Sequence, residues 1–171
     1  MIMAAQYVRE FPLIPGGGLF FLPVGACVAL GAVFPRRRMV LVWVGMALGI
    51  VCVALGWRLY DGLPPPTILQ VACFAAAIAA ETVAFRLVIP RVRAAGERAL
   101  LVCTLFIVGA HFLIMIPAFG FPIAVLALLC LVNAAAGQAW RGYALPAMWF
   151  LDGLFKIAVG ACMLAASPVF A

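Results

Sequence analysis

Residues 39–57 read MVLVWVGMALGIVCVALGW, with Arg36, Arg37 and Arg38 on one side and Arg58 on the other. A helix that crosses hydrocarbon needs roughly 20 mostly apolar residues, and this run carries no charge. Barrel strands are short and alternate polar with apolar residues, whereas here the apolar character is continuous. Only helices and closed barrels satisfy their backbone polar groups in lipid, so the run reads as a membrane-spanning helix. Five more runs of the same kind flank it: Gly18 to Phe34, Thr67 to Ile89, Ala99 to Ile116, Phe121 to Ala139, and Tyr143 to Ala166, the last ending at Ser167-Pro168. Proline, glycine and arginine break the chain between them. The expected architecture is an all-α membrane protein: an N-terminal segment over residues 1–17, with Ala4 to Leu13 lying at the membrane interface, then a single six-helix transmembrane domain over 18–171.

Composition excludes the other broad classes. Of 171 residues, 69% are hydrophobic and 9% charged; a soluble domain has roughly half and roughly a quarter. Too few charges remain to cover a soluble surface, and a disordered chain would be poor in apolar residues. Six cysteines, one in each span and none in a C-x-x-C pair, make neither a disulfide framework nor a zinc site; they read as small apolar packing residues. Residues 1–6 lack the positive start of a signal peptide. Gly16-Gly17-Gly18 lacks the Lys and Ser/Thr of a phosphate-binding loop and reads as a flexible lead-in to the first span.

Charge placement supports the count. Arg36, Arg37, Arg38, Arg91, Arg93, Arg98 and Arg141 follow spans one, three and five, whereas Arg9 and Arg58 fall on the other side. Arginine-rich loops stay in the cytoplasm, which puts both termini on the non-cytoplasmic side. Trp57 with Tyr60 and Trp140 with Tyr143 mark membrane boundaries. The net charge of +6 lies against the bilayer and calls for no nucleic-acid partner. Gly45 and Gly49, four apart, form a smooth helix face that suits packing within the bundle or a homo-oligomer.

Glu81, His111, Asn133, Asp152 and Lys156 fall inside the spans. An ionisable group at the bilayer centre costs about 2.5–3.5 kcal/mol on insertion scales, so such residues face inward and find partners. A rise of roughly 1.5 Å per residue places Glu81, Asp152 and Asn133 roughly 9–13 Å from the cytoplasmic side, and His111 and Lys156 roughly 18–20 Å. Asp152 and Lys156, four apart, share a helix face and pair. Glu81 then needs a proton or a second partner. These five residues form the expected substrate- or proton-binding pocket. Glu81 with Arg86, and Asp152 with Lys156, also place an acid before a base in the third span of each half, the pattern of an inverted repeat.

Leu151 to Gly160 resembles the last helix of microbial rhodopsins, in which an Asp lies four residues before the retinal-bearing Lys. The resemblance implies Lys156 as the cofactor-binding lysine and Asp152 as its counterion. It covers about ten residues, and that family has seven spans. Gly109 to Leu113, Pro117 to Gly120 and the Asp152–Lys156 helix are similar to small bacterial multi-pass proteins of unknown function, which implies a compact bundle in the bacterial inner membrane. Neither the residues nor their spacing calls for a cofactor or a metal. The leading expectation is a transporter or channel for a small solute or ion. A structural or regulatory subunit of a membrane complex comes second, and a pigment-binding protein or lipid-acting enzyme third, since no Ser-His-Asp set and no H-E-x-x-H are present.

Overall fold

A computed structural model describes residues 2–166, without the side chains of residues 2–5 and 57; the ring of Trp57 and the expected end at Ser167-Pro168 lie outside the described residues. Eight helices are found among them: α1 (Ile2–Glu10), α2 (Ile14–Val33), α3 (Arg38–Leu55), α4 (Ile68–Val92), α5 (Glu97–Ile114), α6 (Ile116–Phe119), α7 (Phe121–Ala139) and α8 (Leu145–Ala165). Six of them, α2 to α5, α7 and α8, are long and apolar enough to cross a membrane.

Each boundary has a local cause. Thr67 Oγ1 accepts from the Gln70 backbone N–H at 3.3 Å and Gln70 Oε1 accepts from the Thr67 N–H at 2.8 Å, a reciprocal cap that starts α4. Gly96 and Gly120, at φ of 99° and 67°, make the turns into α5 and α7 that a side chain would strain. The first span begins at Ile14 rather than Gly18. Pro15 sits in its first turn, where the missing N–H costs nothing. Gly16, Gly17 and Gly18 are therefore helical and buried rather than a flexible lead-in. They are small because Met163 and Phe119 crowd Gly17, while the Gly160 carbonyl lies 2.8 Å from where a Gly18 Cβ would stand.

The helices pack in the order α3, α2, α8, α7, α5, α4, with α2 against α8 the most extensive contact. Just over half of the apolar window of α2 is buried, against about a tenth for α3 and α4, so α2, α5, α7 and α8 form the core and α3 and α4 flank it. The α2–α8 contact is backbone on backbone: a Cβ on Gly153 would stand 2.5 Å from the Ala29 nitrogen and 2.6 Å from the Gly25 oxygen. Gly45 and Gly49 pack on the other side of α2, where a Cβ would meet Cys27 and Phe20 of the same chain at 2.9 and 2.6 Å. That face is covered within the bundle, so copies of the chain would have to meet elsewhere.

One end of the bundle gathers the arginines. Arg38 pairs with Glu97 at 2.7 Å and donates to the Gly31 carbonyl at 3.0 Å. Arg98 donates to the carbonyls of Gly137, Arg141 and Tyr143 at 2.8, 3.0 and 2.7 Å. The α2/α3, α4/α5 and α7/α8 junctions are thereby held together. At the other end α1 docks through buried Val8. There Gln70 Nε2 donates to the Glu10 carbonyl at 2.8 Å, and the Phe121 N–H donates to the Tyr7 hydroxyl at 2.5 Å.

Candidate functional site

The apolar α7 and α8 enclose one ion pair. Lys156 Nζ lies 2.6 Å from Asp152 Oδ2, and both side chains are less than a tenth exposed. The spacing of four puts them one turn apart on α8, as expected. Two charges leave water at a large desolvation cost, which their attraction offsets only with good geometry and further hydrogen bonds. One is present: the Cys130 thiol of α7 donates to Asp152 Oδ1 at 3.3 Å. The ammonium also lies 5.9 Å from the centroid of the Phe112 ring of α5, within cation–π reach.

The second pair joins α4 to α5. His111 Nδ1 stands 3.7 Å from Glu81 Oε1, with the side chains 10% and 26% exposed. That is beyond hydrogen-bond distance, and Nδ1 is buried with no hydrogen-bond partner among the described residues. Glu81 and His111 line a cavity of about 360 Å³ whose other walls are apolar, from Ala80 and Ala84 on α4 to Phe106, Ile107 and Ile114 on α5 and Leu131 on α7. The two ion pairs share a neighbour. The His111 and Phe112 rings lie 4.1 Å apart, and buried Phe112 is the same ring that faces Lys156. Each pair joins a residue expected nearer the cytoplasmic side to one expected near the midplane.

Asn133 is held elsewhere. Its Nδ2 donates to the Met148 carbonyl at 2.9 Å, and its Oδ1 accepts from the Tyr143 hydroxyl at 2.6 Å. Burial pushes the Tyr143 hydroxyl above its ordinary value and keeps it a donor. Asn133 and Tyr143 line a second cavity of about 260 Å³ between α7 and α8. Sequence reasoning missed Cys130, Tyr143 and Phe112 as members of these clusters. Cys130 lies between apolar neighbours and gives no signal of its own, whereas Tyr143 had been assigned to the membrane boundary.

The arrangement can hold or pass a proton at Glu81 and His111, next to a fixed, self-neutralised charge pair. Arg86 is exposed and Glu81 turns to His111 instead. The acid–base patterns of α4 and α8 therefore have different partners, and α4 lies at the flank whereas α8 lies in the core. Lys156 lines neither cavity. No group of three or more His, Cys, Asp or Glu side chains among the described residues is placed to hold a metal ion.

No curated protein and no solved structure matches the chain. A family model described as a family of unknown function (DUF6609) matches residues 5–169, and the chain belongs to that family.

Proposed function

We propose that this protein moves a small solute or ion across a membrane, with Glu81, His111, Asp152 and Lys156 as its proton- or substrate-binding residues. Glu81 and His111 carry the reading. An acid and an imidazole face each other across 3.7 Å in an open apolar cavity, with the imidazole Nδ1 unpartnered. Ionisable groups are costly in hydrocarbon and mark solute or proton paths there. Behind Phe112 the Asp152–Lys156 pair supplies a fixed charge that a moving proton or ion would feel. In this reading the arginine-rich end faces the cytoplasm, because basic loops are retained there, both termini lie outside, and the membrane is the inner membrane of a bacterium.

The test is a proteoliposome preparation loaded with a pH-sensitive dye, to which solutes are added across an imposed pH gradient. The parent protein should give a solute-dependent change in the dye signal, and Glu81→Gln should remove it. A Glu81→Gln variant that exchanges protons at the parental rate would sink the reading. One observation favours a non-transporting, structural role: Asp152–Lys156 closes on itself, and Asn133 is fully bonded to Tyr143 and Met148. That reading expects Glu81→Gln and Asp152→Asn to alter stability or complex assembly and no flux at all.

A further inference from the structure

We propose that the open groove between α4 and α5 binds a lipophilic amine, with its ammonium group on the Glu81 carboxylate and its apolar body against the helix walls. The proposal rests on the solute-moving reading and names the class of solute. Asp152 already has its cation, Lys156, at 2.6 Å, whereas Glu81 has no cation within hydrogen-bond distance and only an imidazole 3.7 Å away. No Lys or Arg lines the cavity, so an anionic guest would meet a carboxylate without compensation. A cation would be attracted instead, and an N–H group is a donor that the 26% exposed Glu81 side chain can use. The Glu81 carboxylate accepts such a bond.

His111 stands beside the carboxylate: its Nδ1 is buried and lies 3.7 Å from Glu81 Oε1, too far to bond it, which leaves the carboxylate free to take another donor. The walls set the rest of the guest. Phe106, 39% exposed, lines the groove with Ala80, Ala84, Ile107, Ile114 and Leu131, which suit a flat hydrocarbon body. The groove, about 360 Å³, is open on one side rather than enclosed. Because α4 is a flanking helix with Ala80 exposed, the guest arrives from the lipid side, where an amine with an aromatic body concentrates.

Three probes with one apolar body separate charge from hydrophobicity: naphthylmethylamine, naphthylmethanol and naphthoate, each equilibrated with the protein in phosphatidylcholine vesicles and with protein-free vesicles. The amine should bind saturably and roughly tenfold or more tighter than the alcohol, as expected for a charge-assisted hydrogen bond, and naphthoate should show no saturable binding. Glu81→Gln should lose that preference for the amine, and Glu81→Asp should keep part of it, which guards against a folding defect. Trp43→Ala, on the exposed face of α3, should bind like the parent. Equal binding of amine and alcohol, or an unchanged affinity in Glu81→Gln, would overturn the proposal. Amine binding without any proton-coupled flux would uphold this site and sink the transport reading. Proton-coupled flux of other solutes without amine binding would do the reverse.

Discussion

At the scale of single residues, Asp152 and Lys156 separate structure from function. Removing one partner of a buried pair strands a charge and costs about 3–5 kcal/mol, whereas replacing both with apolar residues of similar size is often neutral or stabilising. Lys156→Met alone should therefore lower the thermal midpoint in detergent markedly, and Asp152→Leu with Lys156→Met should restore it. If the pair acts only as a structural clasp, the double variant keeps every activity of the parent. If it is the fixed charge beside a proton path, the double variant is stable and gives no flux in the liposome measurement. A Lys156→Met protein as stable as the parent would show that the 2.6 Å contact contributes little.

At the scale of elements, the helices depend on glycines that meet backbone. Gly18 and Gly25 on α2, and Gly153 and Gly160 on α8, are each seven residues apart and so share a face after nearly two turns. A methyl group on Gly153 would stand 2.5 Å from backbone nitrogen, but one on Gly160 would meet its nearest atom, Phe21 Cβ, at 3.1 Å. Overpacking costs about 1–3 kcal/mol, so Gly153→Ala should lower the unfolding midpoint clearly more than Gly160→Ala, as circular dichroism in detergent would show. Equal effects would mean that α2 and α8 slide apart freely. The same contrast explains what the sequence could reveal. Six spans were legible because hydrocarbon demands long uncharged runs, and α7 was found to the residue because Gly120 and Trp140 bound it sharply. The Gly45/Gly49 motif was legible from its spacing of four, but the tighter glycine contacts repeat at seven and did not stand out. Asp152–Lys156 followed from helix geometry alone. Glu81–His111 did not, because it joins two helices whose relative rotation is set by packing. The partners of Asn133 were hidden for the same reason.

At the scale of the whole molecule, the distribution of charge between the two ends sets direction across the bilayer. The arginine junctions are tied into one end by Arg38–Glu97 and by Arg98 reaching the carbonyls of Gly137, Arg141 and Tyr143. Arg36, Arg37, Arg91, Arg93 and Arg141 stay exposed there. The opposite end is closed by α1 and carries two arginines, Arg9 and Arg58, with the acids Glu10 and Asp61. Basic residues near short loops set orientation, and acidic ones contribute little. The excess of arginine at the first end therefore predicts that it is cytoplasmic. Fused after Ala171, a reporter active only outside the cytoplasm should work, and one fluorescent only inside should stay dark. Changing Arg36, Arg37, Arg91 and Arg93 together to Gln should blur or invert that pattern, while Arg38 and Arg98, which hold the junctions, are left in place. A C-terminal reporter that fluoresces inside in the parent protein would reverse the assignment and turn the Glu81 cavity end for end, and the direction in which it would exchange solute for protons would have to be argued anew.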